Sequence, residues 1–232
     1  TNTAVEFQDG AAGQIVLSDT ADLTITTSGG NITIAPTIAG TTGGANRTED
    51  ITLNAAGGTV TLSNTGAAVL ATDIGDVTIT GATIALHNSI TSAGTNSAGA
   101  ASTIDINGAV TLNSNDITIT TGGGSVDFSS TIVSGSATPR ALTIAQGAGT
   151  VTITGNIGGT ASNDLGNITI GATGNNGNIT LSGDIGTDSV AGAAIVALGN
   201  ASTGSITLGG AEYNTSGTQT YTTAVSGSID IS

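Results

Sequence analysis

The chain contains no cysteine, methionine or tryptophan, and it has two phenylalanines and two tyrosines among 232 residues. A globular core of this size usually relies on Leu, Phe, Met and Trp to fill its volume. The apolar residues that are present are chiefly Ala, Val and Ile. This composition favours many thin, similar layers over one thick core, and the absence of cysteine excludes disulfides.

Positive charge is also scarce, because Arg47 and Arg140 are the basic residues set against 16 acidic ones, for a net charge of -14. Nucleic-acid binding and polybasic contact with a membrane both need a basic surface, so we expect neither. No apolar run approaches the roughly 20 residues of a membrane-spanning helix, which predicts no membrane insertion. The N-terminus lacks a basic region followed by an apolar stretch, so we expect an internal segment or a chain whose signal peptide has been removed.

What the chain does have is a short repeated unit: an aliphatic residue, then Thr or Asp, then a second apolar residue, usually after Gly, Asn or Asp. Side chains alternate along a strand, so the apolar pair points inward and Thr or Asp points outward. These strands are too short to be stable alone and need stacked neighbours. Copies of the triplet begin at Leu23, Ile32, Ile51, Val60, Val77, Ile104, Val110, Ile117, Val126, Leu142, Val151, Ile168, Ile179, Ile206 and Ile229.

The spacing of the triplets predicts how they stack. The larger period, as from Ile51 to Val77, is about 26 residues, and a second triplet often follows within it. We therefore predict an all-β chain, a single continuous parallel β-helix (solenoid) over residues 1–232, with roughly 17–28 residues per coil. A β-sandwich, whose strands are usually longer, and a disordered chain are the alternatives.

Two kinds of segment fall outside the triplets. The glycine-rich stretches 40–48, 92–101 and 171–176 are predicted to be long loops. The segment Val190–Leu198 has the alanine content of a short helix, but its glycine-rich surroundings favour a strand with small inward residues.

The Gly-Asn-Ile-Thr-Ile and Gly-x-Val-Thr-Leu units, the corner Gly155–Gly158 and the tail Gly217–Val225 carry a family resemblance over nearly the whole chain. They resemble the repeat regions of large secreted bacterial adhesins of the filamentous haemagglutinin type, exported by two-partner secretion or as autotransporters. The resemblance implies a right-handed parallel β-helix that projects from the cell surface as an adhesive stalk.

On this basis we expect a non-enzymatic structural or adhesive protein that is secreted, extracellular or on the cell surface. Its expected partners are neighbouring segments of the same long chain or other copies of it, and host or cell-surface glycans or proteins. Neither end shows a helical cap, so a second hypothesis is a filament or surface-layer subunit joined end to end through open β edges. A polysaccharide-cleaving β-helix enzyme is a third hypothesis.

No catalytic or cofactor-binding residue is predicted. His87 is the one histidine, and a triad built on it would need Ser89 with Asp73 or Asp76, without any motif that resembles a nucleophile elbow. A glycosidase would need two carboxylates at a defined separation. It would also need aromatic side chains to line a sugar-binding groove, and the chain has four aromatic residues of this kind, two Phe and two Tyr. The carboxylate pairs that could face each other across rungs are Asp73/Asp76, Asp105/Asp116 and Asp184/Asp188.

Calcium is the one metal that the turns could bind, because calcium takes carboxylate and carbonyl oxygens. The turns 73–76 and 184–188 supply both, which makes Asp73, Asp76, Asp184 and Asp188 the candidate ligands. The glycine-rich nonapeptide of calcium-binding β-rolls is absent. The simpler interpretation, which we prefer, is that these are hydrated turn carboxylates that keep the rod soluble.

Overall fold

A computed structural model of the chain describes residues 3–8, 13–18, 20–40, 48–63, 71–72, 74–92, 95, 99–159, 163–171, 177–187, 190–223, 225–226 and 230–231. The described residues form strands and turns and contain no helix. The strands are β1 (Val5–Phe7), β2 (Gln14–Val16), β3 (Leu23–Thr26), β4 (Ile32–Ile34), β5 (Thr37–Ala39), β6 (Ile51–Asn54), β7 (Thr59–Leu62), β8 (Ala71–Thr72), β9 (Val77–Leu86), β10 (Ile90–Ser92), β11 (Ile104–Leu112), β12 (Ile117–Thr121), β13 (Val126–Phe128), β14 (Ile132–Ser134), β15 (Leu142–Ala145), β16 (Val151–Ile153), β17 (Leu165–Ile170), β18 (Ile179–Leu181), β19 (Ala193–Leu198), β20 (Ile206–Leu208), β21 (Glu212–Tyr213), β22 (Gln219–Tyr221), β23 (Val225–Ser226) and β24 (Asp230–Ile231).

The strands stack in three columns, and every pairing between them is parallel. The first column contains β1, β4, β7, the second half of β9, the second half of β11, β14, single bridges at Ile157 and Ile185, then β21 and β24. The second contains the sheets β2-β5-β8 and β10-β12-β15-β17-β19-β22, and the third contains β3, β6, the first halves of β9 and β11, β13, β16, β18, β20 and β23. The chain passes through the columns in this order and repeats, which makes it a β-solenoid, as predicted.

The third column has the most regular register. Its first positions stack as Leu23, Ile51, Val77, Ile104, Val126, Val151, Ile179, Ile206 and Val225. From Ile51 to Ile206 these first residues are buried, and the middle residue of each strand points outward, as Thr152 does between Val151 and Ile153. The predicted inward apolar pair and outward polar residue are therefore confirmed. A single core of stacked Ile, Val and Leu side chains runs along the inside.

The corner from the third column to the first is short and repeats closely. It consists of residues 129–131, 154–156 and 182–184 in three successive coils. In β9 and β11 the strand runs through this corner without a break, past Gly81 and past a bulge between Asn107 and Ala109. The corner from the first column to the second is more variable, since it consists of residues 113–116 in one coil and 135–141 in the next.

Within the segment Val190–Leu198, residues Ala193–Leu198 form strand β19, so the strand prediction is confirmed over the helix alternative. Of the predicted long loops, residues 41–47, 93–94, 96–98 and 172–176 lie outside the described residues. The last predicted triplet is described at Asp230–Ile231, where it forms β24.

Candidate functional site

The corner that leads into the third column contains the most concentrated charge among the described residues. Asp22, Asp50 and Asp76 each stand directly before a third-column strand, on three successive coils. Oδ1 of Asp22 accepts the main-chain amide of Asp50 (3.0 Å), and Oδ1 of Asp50 accepts that of Asp76 (2.7 Å). Oδ1 of Asp76 in turn accepts the amide of Thr103 (2.7 Å). We call these three side chains the carboxylate ladder.

The carboxylate ladder is a structural cap, because each carboxylate satisfies an amide of the next coil at a turn. The ladder also places three negatively charged side chains close to one another. Burial raises the pKa of Asp50, and the charges of Asp76, Asp22 and Glu49 raise it further, while the hydrogen bond from the Asp76 amide acts in the opposite direction.

Glu49 lies beside the carboxylate ladder and is the most unusual acidic residue that the structure describes. Its side chain is 1% exposed, and neither carboxylate oxygen has a hydrogen-bond partner. The hydroxyl oxygen of its neighbour Thr48 is also buried without a partner. Buried carboxylates normally have such partners, because removing a charge from water is costly. Glu49 was not among the predicted site residues.

A signal for Glu49 does exist in the sequence once the register is known. Two residues before the third-column strands, the later coils have a small residue that fits the tight corner. Glu49 breaks this pattern in the coil of β6. The small residues at the equivalent position are Gly75, Ser102, Gly124, Gly149, Gly177 and Gly204.

The predicted calcium candidates are separated by the fold. Asp76 belongs to the carboxylate ladder, whereas Asp184 stands at the corner before the first column, where its Oδ1 accepts the amides of Ala211 (2.6 Å) and Glu212 (3.1 Å). Asp73 and Asp188 lie outside the described residues. Within the described ranges, no group of three or more His, Asp or Glu side chains is placed to hold a metal ion.

The carboxylate pair Asp105/Asp116 is not brought together. Asp105 is the outward residue of its strand, where the register places it beside Asp127 of β13. Asp116 precedes the second column and its Oδ1 accepts the amide of Ala141 (2.9 Å). Burial raises the pKa of Asp105, and the charges of Asp127 and Asp76 add to the effect.

His87 contacts neither Ser89 nor Asp76 in any described hydrogen bond. Its Nδ1 is 2.7 Å from Oγ of Ser114 on the next coil, while Oγ of Ser89 accepts the amide of Thr118 (2.9 Å). Burial lowers the pKa of His87, which favours the neutral ring. The histidine therefore links two coils at the corner between the first and second columns.

In the part of the chain that the structure describes, there is no helix long and apolar enough to cross a membrane. Comparison of the chain with protein-family models, curated proteins and solved structures gives no match.

Proposed function

We propose that this chain is a non-enzymatic, extracellular structural and adhesive segment of a bacterial cell surface, whose coils form a stalk or fibre. The observation that carries the proposal is the unbroken register of the third column, from Leu23 to Val225. Parallel strands stacked in register extend the chain along one axis, and their outward side chains form a surface that a partner can contact. A stalk needs both properties.

The outer surface of the third column supports the same proposal. Its outward positions are neutral threonines except for two aspartates and one serine, so the column presents hydroxyl groups in a row. Hydroxyl rows can hydrogen-bond across coils and to glycans or proteins, which are the partners expected from the family resemblance. The outward residues in order are Thr24, Thr52, Thr78, Asp105, Asp127, Thr152, Thr180, Thr207 and Ser226.

Two measurements on the cells that make the protein test this proposal: where the protein is located and how long the complete polypeptide is. Antibodies raised against the 232-residue chain are expected to label surface fibres in immunogold electron microscopy. Mass analysis of the labelled polypeptide is expected to give a chain several times longer. Label confined to the cell interior would contradict the proposal.

A second candidate, a subunit that assembles end to end, is favoured by the coil of β1, β2 and β3. These strands pair on one side only among the described residues, and Phe7 and Val16 on this coil are 37% and 59% exposed. A strand edge with apolar neighbours can accept another strand. Negative-stain images of the purified chain separate the two candidates, because fibres assembled from the 232-residue chain itself support this candidate over the long stalk.

A further inference from the structure

Six asparagines of the chain stand in the sequence Asn-x-Ser/Thr without proline at the middle position, which is the acceptor sequence for N-linked glycosylation. Because Asn often precedes an Ile-Thr strand here, the sequence alone does not separate acceptors from ordinary strand starts. The structure describes five of the six and gives their side chains different surroundings. The six are Asn31, Asn46, Asn167, Asn178, Asn200 and Asn214, of which Asn46 lies outside the described residues.

Four of the five described asparagines use their side-chain amide to connect one coil to another. Such bonds hold the amide group against the chain, so a sugar attached there would have to fit into a contact between coils. Oδ1 of Asn31 accepts the Thr59 amide (2.9 Å), Oδ1 of Asn178 accepts Oγ of Ser205 (3.1 Å), Nδ2 of Asn200 donates to the Gly171 carbonyl (2.7 Å), and Nδ2 of Asn214 donates to the Thr187 carbonyl (2.8 Å).

Asn167 is the exception, because it lies within strand β17 rather than at a corner and its side chain is exposed. Among the described residues, its side chain makes no hydrogen bond. Thr169, the third residue of the acceptor sequence, faces the same side of the strand and is partly exposed, while Ile168 between them is fully buried. The amide and the hydroxyl that define the acceptor therefore both face outward from a fixed strand.

The surroundings of Asn167 leave room for a sugar and offer it an apolar surface. Asn167 is paired in register with Ile195 of the next coil, whose side chain is 41% exposed. The corresponding position in the coil before is the small residue Ala141, and Gly217 lies against Ile195 without a side chain to cover it. Covering Ile195 would remove apolar surface from water, and the C–H face of a sugar ring on the neighbouring residue can do this.

We propose that Asn167 is an N-glycosylation site that accepts a hexose or N-acetylhexosamine from a phosphate-activated sugar donor. Nδ2 forms a bond to the anomeric carbon of the sugar, the bond from that carbon to the donor's phosphate oxygen breaks, and the phosphate leaves with the electron pair. The proton released from Nδ2 goes to a base of the transferase. The first sugar then lies over Ile195, on the outer surface of the second column.

This inference rests on the proposed extracellular location, since glycosylation at this acceptor sequence is a modification of secreted proteins. The experiment is peptide mapping by mass spectrometry on the protein isolated from the cells that make it. We expect sugar mass on the peptide that contains Asn167. The peptides that contain the other four described asparagines should have much lower occupancy.

Three variants made in the same cells show which residues define the acceptor. Asn167→Gln and Thr169→Ala should each lose the sugar at this position, whereas Thr169→Ser should keep it, because serine retains the hydroxyl. Asn178→Gln is the matched control, since it removes an acceptor of the same Asn-Ile-Thr sequence and should leave the sugar at Asn167 unchanged. The exposed positions of Asn167 and Thr169 allow all three variants to fold.

Two results would overturn the proposal: an unmodified Asn167 in protein that immunogold labelling places on the cell surface, and a sugar that remains at Asn167 in Thr169→Ala. Equal occupancy at Asn167 and Asn178 would overturn the selection by the structure. Sugar at Asn167 in protein confined to the cell interior would contradict the extracellular location and support the glycosylation site, so the two proposals fail separately.

Discussion

Glycine recurs at the corner from the third column to the first because successive coils approach each other there more closely than a side chain permits. A Cβ on Gly183 would collide with the main chain of Gly155, and it would lie 2.7 Å from the amide nitrogen of Asn156. A Cβ on Gly210 would collide in the same way with Gly183. The glycine at this corner is thus required by the distance between coils.

Gly183→Ala should lower the free energy of unfolding by about 1–3 kcal/mol, because the main chains of two coils must move apart to make room for the methyl group. Chemical denaturation followed by circular dichroism measures the change. Gly57→Ala is the control, since no atom lies within 4 Å of its Cβ position, and a change within about 0.5 kcal/mol is expected there. Equal losses in the two variants would refute the steric explanation.

Asp105 and Asp127 place two carboxylates side by side in a row that is otherwise Thr and Ser. Because the pKa of Asp105 is raised above its ordinary value of 3.8, the folded chain binds this proton more tightly than the unfolded chain does. This contribution to stability is therefore greatest at low pH and is lost as the pH rises through the raised pKa.

Asp105→Asn should accordingly stabilise the chain at neutral pH, by about 0.2–1 kcal/mol for the removal of a like-charge pair. The advantage should shrink as the pH falls from neutral through the raised pKa of Asp105, because the unmodified carboxyl becomes protonated there and no longer repels Asp127. Thermal unfolding across this pH range measures it. Asp116→Asn is the comparison, and a stabilisation of the same size there would contradict the pairing with Asp127.

At the scale of the strand, two inward residues per triplet provide the core. Ile79 of β9 stacks between Leu53 of β6 and Ile106 of β11, and all three side chains are buried. The outward neighbour Thr78 stacks between Thr52 and Asp105 and is partly exposed to water. The same strand therefore offers an inward and an outward position for direct comparison.

Ile79→Ala should lower the free energy of unfolding by about 2–5 kcal/mol, because it removes buried methyl and methylene groups and leaves a cavity between two coils. Thr78→Ala should cost about 0.2–1 kcal/mol, the value of one cross-strand contact. Denaturant titration of both variants gives the comparison. Similar losses for the two residues would mean that the strand does not alternate as described.

The sequence predicted the strands that carry the full triplet, because an apolar pair around Thr and a preceding Gly or Asn is a local signal. It missed strands whose third residue is small or polar, such as β5, which ends in Ala39, and β10, which ends in Ser92. It also missed Ile157 and Ile185, which contribute single bridges. Their stacking depends on neighbours in other coils, which a local pattern does not contain.

The candidate site was less predictable than the fold, for the same reason. Asp76 and Asp184 were marked by their turn sequences, but both cap amides of the following coil. Glu49 carried no turn signal, and its burial follows from the coils above and below it. Asp105 and Asp116 were predicted to face each other across rungs, whereas the register places Asp105 beside Asp127.

At the scale of the whole molecule, each coil contacts mainly the coil before it and the coil after it. The free energy of unfolding is therefore close to the sum of each coil's own stability and the stability of each interface between neighbouring coils. Among the residues that the structure describes, strand β3 pairs only with β6, whereas β13 pairs on both sides, with β11 and β16. Local opening should therefore be easier at β3 than in the middle of the column.

Hydrogen-deuterium exchange read by mass spectrometry should detect this difference. Peptides that cover Leu23–Thr26 are expected to exchange faster than peptides that cover Val126–Phe128. Addition of denaturant well below the unfolding midpoint should widen the difference. Identical exchange rates along the column would indicate one cooperative unit and contradict the neighbour-sum description.

The variable corner between the first and second columns is a place where inserted residues would lie at fixed heights along the solenoid axis. Residues 135–141 occupy that corner after β14, where the preceding coil uses residues 113–116, and the strands on both sides keep their register. A binding peptide spliced into any coil at this corner would stand at a fixed height, in multiples of about 4.8 Å from its counterparts. The number of coils between two such peptides would set the distance between them, and that distance could be chosen to match two receptor sites. The avidity of the pair would then change in steps, with each coil added or removed between them.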